Sequence, residues 1–216
     1  MDDTTRKRSL DDVARSNTIF GGARAVLVEL ASALGGDGAR TMTVLDVGTG
    51  IGDIPARATQ EALARGLTSS AFGIDISPSL LRVARASGIT PVCADALALP
   101  VATKSVDVAI CSQLLHHFET RDAVTVLREL DRGARKRGIV SDLRRSWLAA
   151  AGIWIASFPL RFHPVSRHDG VVSVLRGFTT EELSQAVHTA TSQQPCTHRR
   201  LGFRTTASWV PKGATA

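Results

Sequence analysis

The sequence predicts an α/β fold in which a mostly parallel sheet is covered by helices on both faces. From residue 41 onward, short apolar segments alternate with amphipathic segments, which is typical of βαβ units. A glycine-rich turn follows the first predicted strand directly. With 216 residues, of which 44% are hydrophobic, the chain is long enough to bury a core within one domain.

Residues 1–40 are predicted to form a helical N-terminal cap. Helices are expected at about 10–15 and 23–34, the second with Val26, Leu27 and Leu30 on one apolar face. The glycine-rich stretch 35–38 then predicts a loop before the first strand.

Residues 41–145 are predicted to form the core of the sheet. The run TVLDV is apolar on both sides of the strand it predicts, as buried parallel strands are. Strands are expected over 43–47, 71–76, 91–94, 105–112 and 138–143, and helices over 55–65, 78–86 and 123–131.

Residues 146–216 are predicted to add an insert and a terminal hairpin. The apolar run 147–160 is shorter than the ~20 residues of a membrane-spanning helix, so no transmembrane segment is expected. Thr179 and Glu182 form a capping-box pattern that begins a helix reaching about residue 190. Segments 196–202 and 204–210 predict the hairpin that closes the sheet.

The distribution of charge and of cysteines indicates which kinds of ligand and partner to expect. The net charge of +6 arises in residues 111–216, which hold 15 basic and 8 acidic residues. The basic clusters are short and lack interleaved aromatic residues, so no stable nucleic-acid partner is expected, while an anionic small substrate stays open. Three cysteines without metal-ligand spacing predict neither a disulfide framework nor a metal site, and a cytoplasmic location is expected.

The stretch VLDVGTGIGD predicts a ligand site at the end of the first strand. Gly48, Gly50 and Gly52 permit close approach of a ligand to the backbone, and Asp75 ends the next strand, where a carboxylate can bind both ribose hydroxyls. Asp53 stands where a dinucleotide fingerprint has its last glycine, and its charge would repel a pyrophosphate. A cofactor with a ribose, no phosphate and a cationic centre is therefore favoured, and Asp46 would attract that centre.

The segments VLDVGTGIGD, GIDIS, ADALALP and DVAICSQLLHHF, in this order, resemble the motifs of class I S-adenosylmethionine-dependent methyltransferases over about residues 41–145. The resemblance implies a Rossmann-like seven-stranded sheet, S-adenosylmethionine as cofactor and a single methyltransferase domain over 1–216, with 41–145 holding the cofactor and 146–216 lying on the substrate side. By this resemblance the methionine moiety contacts Asp46, Gly48, Thr49, Gly50 and Gly52; the ribose contacts Asp75; adenine contacts Ile76, Asp95 and Ala96; and Cys111 and Ser112 line the floor beside the sulfonium.

Three further segments, ARSNTIFGG, SDLRRS and RHDGVVSVLRGFTTEEL, are similar to small bacterial methyltransferases associated with polyketide biosynthesis. This narrower resemblance implies that Asn17, Gly21 and Gly22 belong to an N-terminal lid over the cofactor. It also implies O-methylation of a phenolic or related hydroxyl.

Histidine is the natural general base for such a hydroxyl near neutral pH. His116 and His117 follow the fourth strand, where the acceptor should approach, and are the catalytic candidates. The candidates for binding a hydrophobic or aromatic acceptor are Trp147, Trp154, His163 and His168. The apolar run around the two tryptophans is also compatible with a core segment or a homodimer contact.

Several other functions stay open at the level of sequence. Carbon or nitrogen methylation of a small molecule or of RNA is one alternative, although the fourth strand ends in Cys-Ser-Gln-Leu and lacks an Asn/Asp-Pro-Pro turn. A non-catalytic S-adenosylmethionine-binding protein is another. An NAD-dependent oxidoreductase is disfavoured by Asp53.

Overall fold

A seven-stranded sheet forms the centre of the computed structural model, which describes residues 22–33, 41–160 and 162–213. The strand order is β3-β2-β1-β4-β5-β7-β6. The strands are β1 (Thr41–Val47), β2 (Thr68–Asp75), β3 (Thr90–Cys93), β4 (Val106–Ser112), β5 (Ala134–Leu143), β6 (Cys196–Arg200) and β7 (Arg204–Trp209).

Only β7 runs against its neighbours in this sheet: β1 to β5 pair in parallel, and β7 is antiparallel to both β5 and β6. The predicted mostly parallel, Rossmann-like sheet is therefore confirmed. The carboxyl ends of β1, β2 and β4 meet at one edge, which is where ligands bind in open α/β sheets.

Seven helices accompany the sheet in the described part of the chain. They are α1 (Gly22–Ala33), α2 (Asp53–Ala64), α3 (Pro78–Ala86), α4 (Thr120–Gly133), α5 (Trp147–Ala156), α6 (Pro164–Arg176) and α7 (Thr180–Thr191), with a short 3₁₀ helix at Leu115–His117 between β4 and α4. No helix in residues 22–33, 41–160 or 162–213 is both long and apolar enough to cross a membrane.

The core lies on both faces of the sheet because strand residues alternate between them. On one face Val44 and Ile110 pack with Val26 and Leu30 of α1 and with residues of α2. On the other face Leu45 and its neighbours pack with apolar residues of α4 and α7. Burial on both faces explains why the central strands read as continuous apolar runs.

The N-terminal cap predicted for residues 1–40 is described only in part. The expected helix at 23–34 appears as α1, and buried Val26 and Leu30 form its inner face. The helix expected at 10–15 lies outside the described residues, as do Asn17 and Gly21.

Two elements differ most from the sequence prediction. β5 begins at Ala134 rather than near residue 138, because Ala134 pairs with Val106 across an irregularity in the ladder. Helix α6 was not predicted; it packs against α5 through Val174, Ala149 and Ala150. Together α5 and α6 form the insert that follows β5.

Candidate functional site

The turn after β1 is a backbone cradle that requires glycine. Gly48, Gly50 and Gly52 have φ angles of 75°, 57° and 78°, which disfavour other residues. A Cβ on Gly48 would lie 2.8 Å from Leu114 Cδ2, and one on Gly52 would lie 2.8 Å from Ile89 Cδ1. A Cβ on Gly50 would meet no atom within 4 Å. The turn therefore exposes its backbone to open space at Gly50, immediately before α2 begins.

Asp75 holds this turn in place from the end of β2. Its Oδ2 accepts a hydrogen bond from the Gly50 amide (2.9 Å), and its Oδ1 accepts one from the Ser77 amide (2.8 Å). Each carboxylate oxygen can accept more than one hydrogen bond, so Asp75 retains capacity for two hydroxyl donors. Asp75, the residue predicted to bind the ribose, thus lies directly beside the glycine turn and also fixes the shape of that turn.

Asp46 is a buried carboxylate at the same edge of the sheet. Its side chain is 1% exposed, and neither oxygen has a hydrogen-bond partner among the described residues. Burial raises the pKa of Asp46 to about 8; the neighbouring Thr49 hydroxyl opposes this rise, and the charges of Asp53 and Asp75 add to it. Because an unpaired buried carboxylate is costly, the position suits a cationic ligand group such as an ammonium. The residues present therefore fit an amino-acid cofactor bearing a ribose.

The predicted adenine contacts lie at the adjoining ends of β2 and β3. Ile76 is 73% exposed and offers an apolar surface, while Ala96 is half-buried. Asp95 is exposed, and its Oδ1 accepts a hydrogen bond from the Leu97 amide (2.9 Å), which fixes the loop that carries both residues.

The residues predicted to line the floor are buried at the end of β4. Cys111 packs within the core on the α4 face, and burial raises the pKa of its thiol well above the ordinary value. The hydroxyl of Ser112 is buried, with no hydrogen-bond partner among the described residues. Ser112 thus carries a buried hydroxyl without a partner among the described residues, whereas the Cys111 thiol packs among apolar residues of the core.

His116 forms a buried pair with Asp142 at the end of β5. The distance between His116 Nδ1 and Asp142 Oδ1 is 2.7 Å, and the two residues are 6% and 0% exposed. Asp142 also accepts hydrogen bonds from the backbone amides of His116 (3.1 Å) and Leu143 (2.6 Å). Because an ionised carboxylate only accepts, it holds the proton on Nδ1 and leaves Nε2 free to accept another.

Asp142 was not among the predicted site residues. It lies in the SDLRRS segment, 26 positions after His116. The available signal was a carboxylate near the carboxyl end of the predicted fifth strand, where parallel strands direct functional residues to one edge.

His117 occupies a different environment from His116. Its ring is tilted by 38° to that of His116, with 4.1 Å between ring centroids, and the residue is exposed overall. Partial desolvation lowers the pKa of His117 below its ordinary value, and electrostatic interactions with His116 and Arg176 add to the effect, against an opposing contribution from Asp142. Both predicted catalytic histidines therefore lie together, but only His116 is oriented by a carboxylate within hydrogen-bond distance.

The residues predicted to bind the acceptor are only partly brought together. Trp154 and His168 line a cleft of about 310 Å³ with Pro164, Arg167 and Val171, between α5 and α6. The cleft wall is stabilised by Phe158, which meets Trp154 edge to face and lies 3.8 Å below the Arg167 guanidinium.

Trp147 and His163 do not line that cleft. Trp147 begins α5 and is 79% exposed. His163 caps α6, and its Nδ1 accepts a hydrogen bond from the Val165 amide (3.3 Å).

Comparison with known proteins agrees with this geometry. Residues 44–138 match the profile of a family described as a methyltransferase domain. None of the curated proteins compared with the chain matches its sequence.

Similar solved structures share the fold at low sequence identity. Magnesium protoporphyrin IX methyltransferase from Synechocystis PCC 6803, crystallised with S-adenosylhomocysteine, has a TM-score of 0.65 and 16% identity, covering 93% of this chain and 87% of that one. A methyltransferase from Thermotoga maritima, named as a possible histamine N-methyltransferase, has a TM-score of 0.62 and 16% identity over 97% and 99% of the two chains. The plantazolicin methyltransferase has a TM-score of 0.61 and 17% identity over 87% and 70%.

The family match over residues 44–138 identifies a methyltransferase domain in this chain. The strand order and the glycine turn after β1 give the chain the Rossmann-like fold of solved S-adenosylmethionine-dependent methyltransferases.

Proposed function

We propose that this protein transfers a methyl group from S-adenosylmethionine to an oxygen of a small phenolic or polyketide-type acceptor. The observation that carries the proposal is the buried pair of His116, just after β4, with Asp142 of β5, which leaves one imidazole nitrogen available as a base. Methylation of nitrogen or carbon depends less on a general base, because an amine already has a nucleophilic lone pair and an activated carbon already has a high electron density.

The cofactor supplies a sulfonium methyl group that is open to in-line attack. In the proposed site Asp75 binds the ribose hydroxyls, the glycine turn accommodates the methionine moiety and Asp46 balances its ammonium charge. Ile76, Asp95 and Ala96 lie at the adenine end, and Ser112 faces the reacting centre. Gly22, and Asn17 outside the described residues, belong to the proposed lid.

His116 is the proposed catalytic base. Its Nε2 removes the proton from the acceptor hydroxyl, and Asp142 stabilises the imidazolium that forms. The hydroxyl oxygen then forms the new bond to the methyl carbon as the sulfur–carbon bond breaks. This base contributes by making the oxygen nucleophilic, whereas the rest of the rate gain comes from holding the two reactants in line.

The proposed acceptor surface is the cleft between α5 and α6. It is lined by apolar Trp154 and Val171 together with Arg167 and His168, which suits a flat apolar acceptor bearing a polar or anionic group. Two of the similar structures are named for small-molecule acceptors, magnesium protoporphyrin IX and plantazolicin. We therefore propose that residues 41–145 bind the cofactor and that the insert after β5 covers the acceptor.

The first test is calorimetric titration with S-adenosylhomocysteine, with NAD as a parallel control. Binding of the former alone supports the cofactor assignment. Transfer of a radiolabelled methyl group to a panel of substituted phenols, their O-methylated derivatives and matching anilines then tests the acceptor. Labelling of the free phenols alone supports O-methylation, whereas labelling of the anilines alone overturns it in favour of nitrogen.

A further inference from the structure

Arg204 is a buried cation at the ligand edge of the sheet that the proposed reaction does not use. It is the first residue of β7, pairs with Leu143 at the end of β5 and is 2% exposed. Its Nη1 donates a hydrogen bond to Gln113 Oε1 (2.7 Å). Its Nε has no hydrogen-bond partner, and within the described residues no carboxylate forms an ion pair with it.

Gln113 connects Arg204 to the beginning of α1. It follows β4 directly with a φ of 55°, an uncommon left-handed conformation for a residue other than glycine. The backbone amide of Gln113 donates a hydrogen bond to the Ser141 carbonyl (2.8 Å), which fixes the turn. A Cβ placed on Gly22 would lie 2.7 Å from Gln113 Nε2 and 3.5 Å from Arg204 Nη2. The side-chain amide and the guanidinium therefore both reach the first residue of α1.

Helix α1 presents its N-terminus at this point. The first amides of a helix have no partner within the helix, and its dipole places partial positive charge there. No acidic residue occupies the first turn of α1. Three kinds of donor thus converge on one place: the first amides of α1, the side-chain amide of Gln113 and the Nη2 of Arg204.

From this convergence we infer a carboxylate-binding subsite formed by Arg204, Gln113 and the N-terminus of α1. The inference rests on the proposed function, because the bound carboxylate belongs either to the amino-acid end of the cofactor or to an acidic acceptor. Because Gly22 has no side chain, the first turn of α1 packs closely against Gln113 and Arg204, so the three donor groups lie side by side.

The energetics of Arg204 favour an anionic ligand over a purely structural role. Burial lowers the pKa of Arg204 to about 10, and the charge of Asp142 offsets only part of this effect. Asp142 is itself engaged by His116 and by two backbone amides. A buried charge without a direct counter-ion is costly, and a carboxylate that pairs with a guanidinium in two hydrogen bonds removes that cost.

The test compares ligands with and without the carboxylate. S-adenosylhomocysteine and its decarboxylated analogue, S-adenosyl-3-thiopropylamine, are titrated into the unmodified protein and into Arg204→Met. If the cofactor supplies the carboxylate, the variant binds S-adenosylhomocysteine about 10- to 100-fold more weakly and the analogue with unchanged affinity. Arg199→Met, which removes an exposed cation from β6, is the matched control.

A second arm identifies an acceptor carboxylate. Benzoate is titrated into the complex of the protein with S-adenosylhomocysteine, with benzyl alcohol as the uncharged control. Binding of benzoate that is lost in Arg204→Met, with unchanged affinity for S-adenosylhomocysteine, assigns the subsite to an acidic acceptor.

Gln113→Glu provides a variant that keeps Arg204 and its packing. The introduced carboxylate pairs with Arg204 in place of the ligand, so the same ligand loses affinity as in Arg204→Met. If S-adenosylhomocysteine and benzoate both bind Arg204→Met and Gln113→Glu with the affinity of the unmodified protein, the proposed carboxylate subsite is wrong. Failure of the unmodified protein to bind S-adenosylhomocysteine at all would instead contradict the proposed function.

Discussion

His116 Nδ1 and Asp142 Oδ1 are 2.7 Å apart in a pair that solvent barely reaches. The carboxylate comes from β5 and the imidazole from the 3₁₀ helix after β4, so two neighbouring strands determine the orientation of the ring. A histidine held in this way presents a fixed nitrogen to an acceptor and gains a stabilising charge when it is protonated.

We expect His116→Gln to lower the rate of methyl transfer by about 10²- to 10⁴-fold, the usual contribution of a general base. Affinity for S-adenosylhomocysteine should not change, because the ring acts on the acceptor. Single-turnover transfer to a phenolic acceptor, with calorimetry on the same samples, measures both quantities. The control is His117→Gln, which should retain most of the activity; a larger loss in that variant would assign the base to His117.

Asp75→Ala should weaken binding of S-adenosylhomocysteine by about 1 to 3 kcal/mol, since it removes a charged hydrogen-bond acceptor. The variant also loses the hydrogen bond from the Gly50 amide, so the glycine turn should become less ordered. Calorimetry measures the affinity, and amide exchange at residues 48–52 measures the order of the turn.

The control for Asp75→Ala is Glu61→Gln. Glu61 is an exposed carboxylate on α2 that pairs with Arg65. Equal affinities in the Asp75→Ala and unmodified proteins would contradict the ribose assignment.

Local patterns predicted the central fold because burial and turn chemistry act over a few residues. The run TVLDV and the three glycines after it carry both the strand and the turn, whose positive φ angles permit little else. The beginning of β5 was missed because the polar residues Arg135, Lys136 and Arg137 conceal the strand, whose position there depends on pairing with β4. A glycine at 170 and a mixed polar pattern concealed α6 in the same way.

The site was harder to predict where its parts are distant in sequence. Asp75 follows a strand and is recognisable from its neighbours alone. The pairing of Gln113 with Arg204 spans 91 positions and exists only because β7 enters the sheet beside β5 in the reverse direction. No sequence pattern predicts that β7 pairs with β5, or that Gly22 lies against Gln113 and Arg204.

Gly138→Ala should destabilise the protein by about 1 to 3 kcal/mol through overpacking. Gly138 pairs with Trp209 across β5 and β7, and a Cβ there would overlap Cε2 and Cζ2 of the indole ring. The ring is 2% exposed and its Nε1 donates to Asp131 (2.9 Å), so it has little freedom to move away.

Gly152→Ala is the matched control for Gly138→Ala. Gly152 lies within α5, and a Cβ there would meet no atom within 4 Å. Its replacement should stabilise the protein by up to about 1 kcal/mol through helix propensity. Urea unfolding of both variants measures the two effects; the same change in both would show that Trp209 tolerates the added methyl group.

Asp46 should make the free energy of unfolding fall as pH rises from about 4 to about 8. In the unfolded chain this carboxyl ionises near its ordinary pKa of 3.8, whereas in the folded protein burial keeps it protonated up to about pH 8. The folded state then binds one proton more than the unfolded state within this window, so stability decreases by up to about 1.4 kcal/mol per pH unit.

Asp46→Asn removes this dependence, because an amide does not titrate. The variant should therefore gain stability relative to the unmodified protein between pH 5 and pH 8.5, as measured by guanidinium unfolding at several pH values. Asp122→Asn on α4 serves as the control for removing a carboxylate elsewhere. A stability difference between Asp46→Asn and the unmodified protein that does not change with pH would contradict the raised pKa of Asp46 in the folded protein.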